Sequence, residues 1–232
     1  MFNNKKGFEL VFSWIFSLVA GVLILIFLIY FAYQHTDLFG KRTNLLVREE
    51  FDNAFGSLKN TEISTLIELQ DNITLKFDCI DGKILFGVNE GDKREIPGKI
   101  IAAPMILSGH NFSIKTDSFV KPFKIVSFIY IDSDERKIRT TENDPLKRAY
   151  AYSDDDNCIK QMVSERLEMV KSSYMNKISY LGGARNSDGS PCSYVNIKDK
   201  INLLTVDNLD SNSDDINNLN EQLIWQGCPA LF

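Results

Sequence analysis

Between Leu10 and Tyr33 the chain carries 24 residues without one charged side chain, and sixteen of them are Leu, Ile, Val or Phe. A run like this has few ways to fold. As a helix rising ~1.5 Å per residue it reaches roughly 36 Å, enough to cross a hydrocarbon core of about 30 Å with some tilt. Each of the sixteen contributes roughly −0.3 to −0.6 kcal/mol to insertion, an upper sum on the order of −5 to −10 kcal/mol. Tyr30 and Tyr33 stand at the far end, where amphipathic rings settle at the headgroup level. A cleaved signal peptide has an apolar core of only about 7–15 residues and a small-residue cleavage site. The exit here reads Phe31-Ala32-Tyr33-Gln34, so a retained anchor is expected. Lys5 and Lys6 precede the span and orient it with residues 1–9 in the cytoplasm, although Lys41 and Arg42 on the other side reduce the asymmetry. The sequence therefore reads as a single-pass protein of the cell membrane. Its partner through residues 10–33 is the lipid bilayer, and the remainder lies outside the cytoplasm.

Three features of that remainder agree with an outside location. All four cysteines, Cys79, Cys158, Cys192 and Cys228, follow the apolar run. So do two N-x-[ST] sequons, which make Asn72 and Asn111 candidate glycosylation sites. The net charge of −5 divides into +1 for residues 1–33 (Lys5, Lys6, Glu9) and −6 for the rest. An acidic domain without a polybasic run argues against a nucleic-acid surface and leaves other membrane or surface proteins as the partner class.

After the anchor, residues 34–60 read as a juxtamembrane region: a connector over 35–40, then an amphipathic helix over 43–58 with Val47, Phe51, Ala54, Phe55 and Leu58 on one stripe. Residues 61–150 read as β-rich. The sharpest local signal is a hairpin, in which Ile73, Leu75, Phe77 and Cys79 alternate with polar residues ahead of an Asp81-Gly82 turn. That turn sets Cys79 opposite Ile84, Phe77 opposite Phe86 and Leu75 opposite Val88, all apolar pairs. Phe123–Ile131 is apolar on both faces and reads as a central strand; Arg94–Ala103 and Asn111–Lys115 are weaker candidates. Over residues 151–232 the period turns helical. Ile159 to Leu181 recurs at spacings of four and three, Tyr194 to Leu204 forms a shorter pattern, and Ser213 is expected to cap a third helix carrying Ile216, Leu219 and Leu223. The fold class expected is α+β: an N-terminal transmembrane helix, an antiparallel sheet and a C-terminal helical layer.

Four cysteines allow three pairings. An up-down-up order of the three helices brings Cys192 and Cys228 to one level and leaves Cys79 to meet Cys158; this favours one pairing without eliminating the other two. No C-x-x-C spacing points to redox or metal chemistry, and no cofactor is expected. Asp210, Asn212, Asp214 and Glu221 fall at EF-hand positions, but Asp215 replaces the turn glycine and the segment reads as helix. The two histidines, His35 beside the membrane exit and His110 in an expected loop, lack the sequence context of a hydrolase or zinc protease. No catalytic residue is assigned.

The opening Lys5-Lys6-Gly7-Phe8-Glu9-Leu10, followed by the long apolar helix, resembles the class III signal of type IV pilin-like proteins. The resemblance implies that a membrane peptidase cuts after Gly7, leaving Phe8 as the new N-terminus, and that the helix serves as both anchor and filament core. The family's glutamate usually stands at the fifth mature position, whereas Glu9 is the second here. Through this opening and the Gly227-Cys228-Pro229 tail the chain is also similar to single-pass surface proteins of archaea, a likeness that implies no activity. The expectation is a membrane-anchored interaction or structural protein without catalysis. A pilin-like filament subunit is the first alternative, and an anchored enzyme or metal-binding module is the second.

Overall fold

The computed structural model describes residues 5–57, 64–89, 91–96 and 99–232, with the side chains of residues 5–13 and 34–43 outside that description. Leu58 and Pro97 lie outside the described residues, as do residues 1–4 of the expected cytoplasmic segment. The chain divides into two compact units, residues 1–49 and 50–232.

The described residues of the first unit are helical. Helix α1 spans Lys5–Ser57, so residues 35–40, expected as a connector, are helical, and the amphipathic stretch is the end of the same element. Within α1 the segment Trp14–Tyr33 has a mean hydropathy of 2.8, with none of it buried inside the protein. Twenty residues at ~1.5 Å each give about 30 Å, the thickness of a bilayer's hydrocarbon core. Phe27 and Phe31, one turn apart, stack at 6.2 Å.

The second unit is built on a six-stranded sheet: β1 (Ser64–Ile80), β2 (Lys83–Val88), β3 (Arg94–Glu95), β4 (Ile100–Ala102), β5 (Ile106–Val120) and β6 (Lys124–Ser133), in the order β3-β2-β1-β5-β6-β4. The β1–β2 hairpin has the register expected from its apolar pairs, Leu75 opposite Val88, Phe77 opposite Phe86 and Cys79 opposite Ile84. Its turn needs left-handed backbone at both positions, Asp81 at φ 52° and Gly82 at φ 68°. Gly82 also abuts a helix, because a Cβ there would stand 2.7 Å from Gln161 Nε2.

The sheet is mixed rather than wholly antiparallel, since β4 runs parallel to β6 over Ile100–Ala102. Three paired residues leave too short a pattern to reveal direction. Strand β5 is also longer than expected. It absorbs Ser108, Gly109 and His110, which read as a loop because polar and glycine residues interrupt the alternation. Strand β6 is buried on both faces, as its two-sided apolar sequence requires.

Helices α2 (Pro145–Tyr152), α3 (Asp156–Leu181), α4 (Val195–Asn202) and α5 (Leu209–Trp225) form a layer whose core takes in Phe119, Phe128 and Tyr130 from the sheet and Ile159, Val163, Ile197, Ile201 and Ile216 from the helices. Helix α2 falls inside the region expected to be β-rich. Its eight residues are too few for periodicity to show, but Asp144 caps it by accepting from the backbone N–H of Leu146 and Lys147, with Pro145 in its first turn. Asp155 caps α3 by accepting from Cys158 N. Helix α5 begins at Leu209, after a 3₁₀ turn over Val206–Asn208, so Ser213 is a buried residue of its second turn and not a cap. Asn208 precedes α5 without a side-chain cap bond to it; its Oδ1 accepts from Thr205 N at 2.7 Å and so closes the 3₁₀ turn. Lys171 of α3 is buried and donates to the carbonyl of Leu204, just past α4, and to Glu168.

Two disulfides tie this layer. Cys79 is bonded to Cys158 and Cys192 to Cys228, with Cα separations of 6.1 and 5.9 Å, the pairing the helix order favours.

The opposite face of the sheet receives the last turns of α1. Phe51 meets Phe86 at 5.6 Å and Phe112 at 5.4 Å, and Phe55 meets Phe86 edge-on at 5.7 Å. Phe51 and Ala54 to Phe55 keep the stripe seen in the sequence. Asp52 pairs with Arg94, and Lys99 donates to the Phe55 carbonyl, where a helix end lacks intrahelical donors. Phe51 is fully buried, so Phe51→Ala is expected to cost about 3–5 kcal/mol in the denaturant unfolding of the detergent-solubilised chain. A loss under about 1 kcal/mol would show that the helix seat is not part of the cooperative fold.

Candidate functional site

An open groove of about 750 Å³ lies beside α2. Lys115, Thr116 and Asp117 of β5 and Tyr130 of β6 form one wall; the segment 138–143, Arg148 and Tyr152 form the other. Alternation along the antiparallel β5–β6 pair puts Lys115 opposite Tyr130 and Asp117 opposite Phe128, so these polar side chains border the helical core.

Arg148 organises the groove. Its Nη1 donates to Asp117 Oδ2 at 2.6 Å, its Nε and Nη2 donate to the Glu142 carbonyl at 3.1 and 3.0 Å, and its guanidinium lies 5.7 Å over the Tyr130 ring. Asp132, almost fully buried, holds the other end: it accepts from Ile138 N at 3.0 Å and from the Tyr152 hydroxyl at 3.1 Å, with Lys115 Nζ 3.9 Å away. Tyr130 donates to the Pro145 carbonyl at 2.8 Å. Burial, with the Asp132 carboxylate adding to it, pushes the Tyr152 hydroxyl up to about 12; burial raises Tyr130 as well, so both remain protonated donors at neutral pH. Most of the charge in the groove is thus engaged with its own walls. Arg139 and Glu142 are exposed at the mouth, and among the described residues neither side chain has a hydrogen bond or ion pair.

The residues singled out from sequence do not meet in this groove. His110 lies in β5, exposed, with Nδ1 4.0 Å from Asp134 Oδ2. His35, Gly7 and Phe8 all fall within α1, and their side chains lie outside the described residues. Asp210, Asn212, Asp214 and Glu221 belong to α5, so the EF-hand spacing is a helical surface rather than a loop. Cys79, Asp155 and Cys158 place potential ligand atoms within 4.8 Å of one another. Both sulfurs there are covalently paired, and the Asp155 carboxylate caps α3, which leaves no thiolate to bind a metal. Asn72 and Asn111 are exposed on β1 and β5. The groove itself was missed because its parts, two strand residues, one buried aspartate and an eight-residue helix, carry no local motif. The one available signal was the run of Arg139 to Arg148 around the Asp144-Pro145 helix start.

The chain matches no family model, no curated protein and no solved structure at a significant level.

One ionic junction braces the α2 side of this region. Lys121, in the β5–β6 turn, pairs with both Asp144, the α2 cap, and Asp210 in the first turn of α5. Burial works against the Asp144 carboxylate, but Lys121 and the backbone N–H groups of Lys147 and Leu146 outweigh it and lower its pKa. Burial likewise opposes the charge on Lys121, while Asp144 and Asp210 outweigh it and raise its pKa. A lowered carboxylate contributes stability above its unfolded value of about 3.9 and loses it as pH falls through the folded value. A raised ammonium contributes below 10.5 and loses its share as pH rises past that into the folded range. Lys121→Gln is expected to flatten the fall in melting temperature below about pH 4 and to remove part of the fall at high pH. Unchanged pH profiles would mean the junction contributes nothing.

Proposed function

We propose that this protein is a membrane-anchored structural or interaction protein whose second unit works outside the cytoplasm. The observation that carries this reading is the contrast between Trp14–Tyr33, an exposed apolar helix of membrane-spanning length, and a following domain closed by two disulfides. An apolar stretch of that length exposed to water would be strongly unfavourable, whereas lipid accommodates it. Disulfides persist in oxidising compartments, which supports a domain on the side opposite Lys5 and Lys6. The reading is non-catalytic: the ionised groups at the groove's centre, Arg148 with Asp117, hold one another, and its tyrosines are shifted away from the range in which acid–base catalysis works. Its partners are the bilayer and other membrane or surface proteins. Protease added to intact cells is expected to remove the domain and leave a membrane-protected fragment bearing the anchor. Full protection, or recovery of the intact chain in a detergent-free soluble fraction, overturns this reading.

A second reading is favoured by one observation. Helix α1 carries the apolar segment and ends, at Phe51 and Phe55, as a packing element of the sheet. In a pilin-like subunit one helix fills both roles, and the Lys5-Lys6-Gly7 opening suits the processing that would release it. N-terminal sequencing of the mature protein is expected to start at Phe8 on this reading; a start at Met1 or Phe2 removes it.

A further inference from the structure

We propose that Asn72 is the attachment site of an N-linked glycan, favoured over Asn111 by the local structure of β1; the inference rests on the domain lying outside the cytoplasm. Asn72-Ile73-Thr74 and Asn111-Phe112-Ser113 are equivalent as motifs. They are not equivalent in the fold. The β1–β5 register runs from Ser64 opposite Lys115 to Glu68 opposite Asn111, then resumes at Ile73 opposite Gly109. Four residues, Leu69 to Asn72, therefore face a single one, His110. They stand outside the β5 ladder, and β2 reaches only as far as Leu75 on the other side. Asn72 sits in this wide irregularity with its side chain exposed, and its Nδ2 donates to Glu135 Oε1 at 2.7 Å.

Asn111 is held differently. It pairs with Glu68 on one side, its carbonyl accepts from Asp134 N at 3.0 Å on the other, and the rest of its sequon, Phe112 and Ser113, is bonded into β6 as well as β1. A transferase must draw the asparagine amide and the hydroxyl two residues later into its own site. For Asn72, itself outside the ladder, that requires displacing its exposed contact to Glu135 and freeing the first two residues after the bulge, where Ile73 and Thr74 pair with Gly109 and Ser108 of β5 and Thr74 is also bonded to Asn89. For Asn111 it requires breaking ladders on both sides of a central strand, an opening closer to global unfolding. The finished linkage also fits Asn72: the glycosylated amide keeps one N–H, which can still donate to Glu135, while the sugar leaves toward solvent.

The reaction is redox-neutral. The Asn72 amide nitrogen attacks the anomeric carbon of a polyprenyl-phosphate-linked oligosaccharide. The bond from that carbon to the phosphate oxygen breaks, the C–N bond forms, and the amide proton leaves with the phosphate or to water.

The test is mass spectrometry of Asn72 and Asn111 peptides from the full-length protein isolated from its own cell membranes. The expected result is a glycan mass on the Asn72 peptide at higher occupancy than on the Asn111 peptide. Thr74→Ala, which keeps Asn72 but removes the sequon hydroxyl, is expected to lose that glycan and migrate faster on gels; Thr74→Ser, which retains the hydroxyl and its place beside Ser108, keeps it. A bare Asn72, occupancy at Asn111 equal to or above it, or a glycan undisturbed by Thr74→Ala overturns the proposal. A bare Asn72 on a domain that external protease digests sinks the glycan and leaves the anchor reading standing; a domain sheltered from protease sinks both.

Discussion

The seat of Phe51 and Phe55 on Phe86 and Phe112 is the contact on which the arrangement of the second unit depends. A sheet of this kind has two apolar faces to cover, and the helical layer covers only one. Without the last turns of α1, the aromatic residues of β1, β2 and β5 on the other face would stand in water. Each ring buried there contributes its transfer free energy, and offset and edge-on contacts add about 0.5–1.5 kcal/mol per pair. The Asp52–Arg94 pair and the Lys99 contact to the Phe55 carbonyl are small by comparison, and their effect is to orient the helix end rather than to hold it.

The helical layer is secured in another way. Helix α4 is short, eight residues, and it and α5 lie where Gly182-Gly183 and a polar loop separate them from α3. Elements this short gain little from intrinsic helix propensity. The Cys192–Cys228 bond closes that segment and restricts its unfolded states, a contribution typically of ~2–4 kcal/mol. Cys79–Cys158 does the same between the first hairpin and the start of α3, across 79 residues of sequence. The turn glycine at Gly227, at φ 78° and with Ser187 standing where a Cβ would crowd it, lets the chain double back so that Cys228 reaches its partner. Together these constraints frame the groove beside α2, whose walls come from both layers, with Arg148 bonded to Asp117 and Tyr152 to Asp132 across it.

Much of this was legible from sequence wherever the signal is local. The apolar run, the Asp81-Gly82 hairpin with its apolar pairs and the α3 period all follow from neighbours within a few residues. The disulfide pairing was favoured because helix order is itself a coarse geometry. Failures share a cause. Strand β4 is three residues long, so its parallel direction is set by its partner β6 rather than by its own pattern. Ser108-Gly109-His110 looks like a loop but extends β5, because Ser108 and Gly109 pair with Thr74 and Ile73 of β1 and the His110 N–H donates to the Asp134 carboxylate. Ser213 looks like a cap, yet burial against neighbouring helices carries α5 one turn further toward its N-terminus.

By itself, the sequence determined that a helix of membrane-spanning length exists near the start, that a hairpin and a long amphipathic helix follow, and that their apolar faces need covering. Periodicity and turn chemistry decide those things because they act between residues adjacent along the chain. Only the tertiary structure decided that β4 runs parallel to β6, that Asn72 lies in an unpaired bulge while Asn111 lies in a closed ladder, and that Arg148, Asp117 and Tyr130 converge on one groove. Those outcomes depend on which distant segments meet, and free energies of packing and pairing settle that only when the whole sheet is assembled.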